Sequence, residues 1–217
     1  MLKRSDNIEF DLPNSSENVS KRAIVIGAGF GGLAAAEIIF GKVNPSGKLP
    51  LTIANSVGQL KMFYNHKHSM YFRDYAMQTN KPLYSFGFGL SYTKFDISAP
   101  KLNSSKFKKG ILSVSVKIKN VGEIAGDEIV QLYISDKYSS ITRPVKELKA
   151  FQRVSLKPGE SKEIVFELNK LAFAYYDSEM NYVVEAGDFD ILVGNSSRDE
   201  DLKNTNFNIE KTFYITD

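Results

Sequence analysis

A glycine-rich run near the N-terminus is the first feature of this sequence that could do chemistry. Gly27, Gly29 and Gly32 fit the pattern G-x-G-x-x-G, after the apolar run 23–26 and before a predicted short helix. In that setting, glycines let the backbone approach a pyrophosphate at a helix N-terminus. The motif therefore raises the hypothesis of an FAD- or NAD-dependent oxidoreductase.

The surroundings of this motif do not complete a dinucleotide fold. That fold needs a second strand ending in Asp or Glu about 20 residues further on, to bind the ribose. No acidic residue lies between Ile38 and Arg73, and Gly41 and Asn44-Pro45 cut the predicted helix 33–40 short. We therefore expect no cofactor, and the oxidoreductase stays an alternative function.

Carboxylates and histidines supply no recognisable catalytic or metal set. Asp127-Glu128 and the run 199–201 stand in polar, turn-like stretches, which predicts a solvated surface. His66 and His68 are two residues apart, and no third ligand accompanies them at a suitable spacing. We expect neither a metal site nor catalytic residues in the chain.

Aromatic residues between 63 and 75 are the best candidates for binding a ligand. Their rings could stack on sugar faces, although packing between domains is the commoner role of such a set. We predict substrate contacts for three residues of this region: Tyr64, His66 and Tyr71.

Composition narrows the function classes. The 217 residues include no Cys, which excludes disulfides, thiolate metal sites and Cys nucleophiles. The net charge of +3, with acids and bases mixed along the chain, does not favour a nucleic-acid partner. The start lacks the apolar core of a secretory signal, and the apolar stretch 23–40 is broken by glycines and Glu37. We therefore expect no membrane partner; the compartment is left open.

The elements that would position these residues change character along the chain. Residues 1–22 are polar and are expected to be a poorly ordered lead-in. Residues 23–94 combine a partial α/β segment with a long, Gly- and Pro-rich connector, which should pack against another surface. Residues 95–217 read as a β-sandwich of immunoglobulin or fibronectin-III type, so the chain is mainly β.

Strict alternation carries the sandwich prediction. In residues 111–119, Leu112, Val114, Val116 and Ile118 alternate with Ser and Lys, as in a half-buried antiparallel strand. Further strands are predicted at 128–135, 148–156, 162–168, 181–185 and 189–193, with a last edge strand through 212–215.

From Gly31 onward the sequence resembles the C-terminal part of glycoside hydrolase family 3. The resemblance rests on N-P-S-G-K-L-P at 44–50, P-L-Y-S-F-G-F-G-L-S-Y-T at 82–93, and R-P-V-K-E-L-K-A-F at 143–151. It covers about residues 31–197. Residues 26–30 depart from the family pattern, which leaves the origin of residues 1–30 open.

The resemblance implies a β-glucosidase- or β-xylosidase-type parent enzyme, of a family often periplasmic or secreted. It places both catalytic carboxylates upstream of the matched region, so the sandwich would brace a catalytic barrel that this chain lacks. Carbohydrate is a possible further partner. A stand-alone carbohydrate-binding or adhesion sandwich is the remaining alternative.

Overall fold

The structure is a computed structural model that describes residues 30–59, 62–68, 79–104, 107 and 110–215. These described residues form one α-helix, α1 (Phe30–Ile39), and eleven strands. The strands are β1 (Phe95–Ile97), β2 (Lys101–Leu102), β3 (Ile111–Asn120), β4 (Gly126–Asp136), β5 (Glu147–Leu156), β6 (Ser161–Asn169), β7 (Tyr175–Tyr176), β8 (Tyr182–Val184), β9 (Gly187–Gly194), β10 (Leu202–Ile209) and β11 (Phe213–Tyr214). The predicted lead-in 1–22 lies outside the described residues.

Two antiparallel sheets form the sandwich. In one, β3 pairs with β6 on one side and with β1 and β2 on the other. The second has the order β10-β9-β4-β5. A third, small sheet (β11-β8-β7) adds two-residue and three-residue strands. The mainly β class and the fibronectin-III-like sandwich predicted from the sequence are confirmed.

The core lies between the two sheets and follows from the alternation in the sequence. Leu112, Val114, Val116 and Ile118 on β3 are all buried, whereas the interleaved Ser and Lys side chains are half-buried or exposed. Buried aromatic side chains of β9 and β10, Phe189 and Phe207, extend the same core. Such burial of apolar surface is the main force that holds a sandwich together.

Strand β10 departs from the sequence prediction. A last strand was placed only around 212–215, where β11 lies, yet β10 pairs with β9 along its whole length, from Leu202 opposite Gly194 to Ile209 opposite Gly187. Its sequence L-K-N-T-N-F-N-I carries three Asn, a residue depleted in strands. Burial of Phe207 and Ile209 outweighs that local preference.

We call residues 40–94 the connector; those of its residues that the structure describes form almost no regular structure. They contain a 3-10 turn (Val57–Gln59) and two isolated bridges, Ile53 with Tyr84 and Lys67 with Pro144. Among the described residues from 35 to 94, Ala36 is the only buried apolar side chain. The described part of the connector therefore forms no core of its own and depends on the surfaces it contacts.

Candidate functional site

The connector is fixed to the sandwich by a buried ion pair. Lys48 Nζ lies 2.6 Å from Glu128 Oε1, and the two side chains are 11% and 5% exposed. The other carboxylate oxygen of Glu128 accepts a hydrogen bond from Asn195 Nδ2 at 3.2 Å. The prediction that Glu128 belongs to the solvated surface was wrong. Its partner lies 80 residues away in an irregular segment, so no local pattern could reveal the burial.

A second buried contact joins Gly87 of the connector to Gln131 of β4. Gln131 Nε2 donates to Gly87 O at 3.1 Å and to Asn195 O at 2.8 Å, and Tyr133 Oη donates to Gln131 Oε1. Burial raises the pKa of Tyr133 well above its usual value, which keeps the phenol protonated as a donor. Gly87 has φ +77°, and a Cβ at this position would overlap the amide of Gln131.

Tyr64, one of the predicted substrate contacts, packs against the sandwich. Its ring stacks on Phe86 at 4.3 Å between centroids and meets Tyr133 edge-on at 5.7 Å. Its hydroxyl accepts a hydrogen bond from the amide of Leu148 at 3.2 Å. This is the packing role that such aromatic sets more often have.

Of the other two predicted substrate contacts, His66 and Tyr71, the structure describes only His66. His66 is half-buried, and its carbonyl oxygen accepts a hydrogen bond from Val145 N at 2.9 Å. Tyr71 lies outside the described residues. The structure thus brings Tyr64 and His66 to residues 145–148 of the sandwich, while their contact with a substrate stays a prediction.

An open apolar groove adjoins the Lys48 attachment. Its volume is about 900 Å³, and residues from the end of α1, from 43–49 and from 84–90 line it together with Arg153. Arg153 donates to Ser46 Oγ at 3.1 Å and pairs with Asp127 at the rim. The large apolar side chains exposed between residues 39 and 92 of the described chain are Ile39, Val43, Leu51, Val57, Phe63, Leu83, Tyr84, Leu90 and Tyr92. The connector therefore offers an uncovered apolar surface beside its polar attachment.

The remaining carboxylates singled out in the sequence each have a cationic partner. Asp127 pairs with Arg153, Glu200 with Lys81 at 3.2 Å, and Asp201 with Arg198 at 2.7 Å. Asp199 pairs with Lys146, whose buried ammonium also donates to Ser197 O at 2.8 Å. Asp199 and Glu200 remain largely exposed, so these pairs are surface contacts of the kind that contribute little to stability.

Cofactor, metal and membrane features can be checked only on the described part of the chain. Gly32 lies in α1, while Gly27 and Gly29 fall outside that part. Within the described ranges there is no group of three or more acidic or His side chains that could hold a metal ion. None of the described helices is long and apolar enough to cross a membrane.

Family comparison defines the class of protein. The fibronectin type III-like domain matches residues 128–197, within the sandwich, and the glycosyl hydrolase family 3 C-terminal domain matches residues 17–92. The chain belongs to glycosyl hydrolase family 3 and corresponds to its C-terminal region, as the resemblance implied.

The similar proteins are longer glycosidases. The chain is 44% identical over 209 residues to thermostable beta-glucosidase B of Acetivibrio thermocellus, covering 87% of this chain and 27% of that protein. It is 43% identical over 183 residues to a putative beta-xylosidase of Formosa agariphila, covering 84% and 24%. A β-glucosidase structure from Erythrobacter marinus matches with a TM-score of 0.77 at 44% identity, over 82% of this chain and 23% of that one. The chain thus spans about a quarter of the proteins it matches.

These comparisons bear on the alternatives. The family 3 match begins at residue 17, so it includes the glycine-rich run and the residues 26–30 that depart from the quoted pattern. The run is therefore part of the matched domain, and the comparisons lend no support to the oxidoreductase or to the adhesion sandwich.

Proposed function

We propose that this chain is the C-terminal scaffold of a β-glucosidase- or β-xylosidase-type glycoside hydrolase. In this role it brings no catalytic carboxylates; it completes the α/β domain and braces a catalytic barrel. The substrates of the whole protein would be β-linked glucosides or xylosides, by analogy with the names of its relatives. The division at residues 94 and 95 between connector and sandwich is part of this proposal.

The lack of a core among the described residues of the connector carries the proposal. These residues bury no large apolar side chain, so they cannot offset the entropy of ordering their own backbone. Exposed apolar patches on this scale mark surfaces that another part of a protein covers. The groove lies within the family 3 match except for Arg153, which favours the rest of that α/β domain as its cover.

The polar attachment explains how a sandwich could serve catalysis at a distance. Lys48–Glu128 and Gly87–Gln131 hold the connector on β4 by buried hydrogen bonds. Such buried polar contacts fix one geometry, because any other arrangement leaves a donor or a charge without a partner. The sandwich would thereby hold the apolar surface of the connector in the shape that the catalytic part needs.

The chain alone should not hydrolyse glycosides. A retaining glycosidase needs a carboxylate nucleophile and a carboxylic acid about 5 Å apart, on either side of the glycosidic bond. The family resemblance puts both upstream, and the carboxylates of 127–128 and 199–201 are engaged in ion pairs. A surface that only binds sugar lowers no barrier, because uniform binding does not stabilise the transition state selectively.

A chimera tests the scaffold role directly. The region of the Acetivibrio thermocellus β-glucosidase that this chain matches is replaced by this chain, and turnover of an aryl β-glucoside is measured. We expect the chimera to be active, while the truncated relative and this chain alone are not. Leu49→Asp in the groove should abolish activity of the chimera. Lys101→Gln, at an exposed residue of β2 that does not line the groove, is the control.

Two results would contradict the proposal. Turnover by the isolated chain, lost on substitution of one of its own carboxylates, would make it an enzyme in its own right. A chimera that folds but stays inactive, and that tolerates Leu49→Asp without change in stability, would remove the scaffold role.

A further inference from the structure

The loop between β4 and β5, residues 137–146, holds the connector from the other end of the sandwich. Pro144 forms an isolated bridge with Lys67, and Val145 N donates to His66 O at 2.9 Å. Immediately after the loop, the amide of Leu148 donates to the hydroxyl of Tyr64 at 3.2 Å. Opening of this loop would therefore break its contacts with residues 66 and 67 and disturb the adjoining contact between Leu148 and Tyr64, while the Tyr64 ring stays packed on the sandwich.

A carboxylate without hydrogen-bond partners lies beneath the loop. Asp136 is the last residue of β4, and both of its carboxylate oxygens are buried and accept no hydrogen bond. Nearby, Arg143 extends from the loop with a side chain that is 9% exposed. Its Nη2 pairs with Glu147 at 2.6 Å, while its buried Nη1 has no hydrogen-bond partner. Burial without partners is costly for an ionised carboxylate.

The charges that act on Asp136 come from the loop, from β5 and from the residue that follows β8. Arg143 from the loop is attractive, and Glu147 of β5 and Glu185 after β8 are repulsive. Arg143 is held over the ring of Tyr175 of β7 at 4.3 Å, and Ser140 N donates to Glu185 Oε2 at 3.0 Å. The neighbouring Lys137 is engaged elsewhere, with Asp190 at 3.0 Å. Glu147 also lies 3.6 Å from Lys149, and Arg143 is the one cation that acts on Asp136 among these described groups.

This arrangement shifts the titration of the cluster. Burial raises the pKa of Asp136 to about 6, and the charge of Arg143 opposes this shift. The Tyr138 amide also opposes it, although it is not placed to donate a hydrogen bond to the carboxylate. Burial acts to raise the pKa of Glu185 as well, but hydrogen bonds from Ser140 and Tyr175 outweigh it and leave that pKa below its usual range. Asp136 is therefore the member that changes charge near neutrality.

We propose that Asp136 is a proton-controlled support for the 137–146 loop. When the carboxyl group is neutral, the closed loop buries it at little cost and keeps its contacts with connector residues 66 and 67. When it ionises, the closed loop confines a charge without hydrogen bonds, and opening relieves this by admitting water. Protonation of one side chain at the end of β4 is thereby coupled to the attachment of the connector.

The direction of the pH dependence follows from the linkage. The pKa of Asp136 in the closed state lies above its value of 3.8 in an open, hydrated state. The closed loop is therefore favoured below about pH 4, and this advantage is lost as the pH rises through about 6. Between pH 5 and pH 7.5, the two values predict a roughly threefold to tenfold decrease in loop protection, allowing for solvent screening of a half-buried group.

Hydrogen exchange on the whole chain tests the proposal, with protection factors corrected for the intrinsic pH dependence of exchange. We expect the amides of residues 145 and 148 to be threefold to tenfold better protected at pH 5 than at pH 7.5. In Asp136→Asn, which keeps the group neutral, protection should stay high at both values. Asp96→Asn removes an exposed carboxylate on β1, which pairs with Lys203, and should leave the wild-type profile unchanged.

Either of two findings would overturn the proposal. One is equal protection of these amides at both pH values in the wild type; the other is the same pH dependence in Asp136→Asn. If that variant does not fold, carbon NMR of the wild-type Asp136 carboxyl group still decides, because titration near 3.8 would remove the support. All these measurements use the chain without a catalytic part, so they stand apart from the scaffold proposal.

Discussion

Lys48 Nζ and Glu128 Oε1 lie 2.6 Å apart across the boundary between the connector and the sandwich, and both side chains are almost fully buried. Buried pairs of this kind do not by themselves stabilise a fold strongly, because desolvation offsets the attraction. Removing one partner destabilises the fold strongly, because the remaining charge is then buried without a counter-charge. This pair therefore ties the integrity of the interface to one lysine of the N-P-S-G-K-L-P segment.

Lys48→Met should leave the buried Glu128 carboxylate without its cationic partner and destabilise the chain by about 3–5 kcal/mol. The double variant Lys48→Met, Glu128→Gln should recover much of this loss, because the amide can keep the hydrogen bond with Asn195 without a charge. Urea unfolding of the four members of this cycle gives the coupling energy. Additive effects would show that the two side chains do not interact.

Gly87→Ala should destabilise the chain more than Gly159→Ala. Both glycines have positive φ, +77° and +75°, so both variants incur a similar backbone strain of about 1 kcal/mol. Only at Gly87 does the added methyl group overlap Gln131, whereas nothing lies within 4 Å at Gly159. A difference of at least about 1 kcal/mol in unfolding free energy is expected. Equal losses would mean that the approach of Gly87 to β4 is not tight.

Tyr64→Ala should lower the stability of the chain in the absence of any sugar, because the ring packs on Phe86 and Tyr133. A cost of about 2–4 kcal/mol fits removal of a half-buried aromatic ring. Tyr64→Phe keeps the ring and leaves only the Leu148 amide without its acceptor, at about 1 kcal/mol. Thermal unfolding measures both. If neither variant loses stability, a substrate-binding role for Tyr64 gains weight.

Val116→Asp should cost several kcal/mol, since this β3 side chain is 1% exposed and faces the core. The neighbouring exposed Lys117 provides the control, as Lys117→Thr should change stability by less than about 0.5 kcal/mol. Thr is chosen because Glu163 lies opposite Lys117 on β6, and a second carboxylate there would repel it. Similar losses in both variants, measured by urea unfolding, would contradict the register of β3.

The sandwich could be predicted from the sequence because local alternation encodes it. Strands β3 to β6 and β9 were placed to within about two residues, since each carries apolar side chains at every second position. Strand β10 was not predicted, because its three Asn residues weaken the alternating pattern around Phe207 and Ile209, the two apolar residues buried when β10 pairs with β9. Tertiary packing, rather than propensity, makes that segment a strand.

The interface could not be predicted in the same way. The burial of Glu128 depends on Lys48, and the conformation of Gly87 depends on Gln131, 44 residues away. These are pairings between an irregular segment and a sheet, and no periodicity records them. The aromatic set around Tyr64 did give a usable signal, since packing between domains is its commoner role.

Vectorial synthesis gives the position of these contacts along the chain a further meaning. Lys48 is synthesised 80 residues before its partner Glu128. Phe86 likewise precedes Ser197, whose amide donates a hydrogen bond to Phe86 O at 2.9 Å. Lys81 pairs with Glu200, 119 residues further on. On the ribosome the connector emerges first, yet its docking site exists only when β9 and the residues after it have been made. Until then its apolar side chains lack the sandwich surface, so the rate of sandwich folding sets how long this part of the nascent chain stays vulnerable to aggregation.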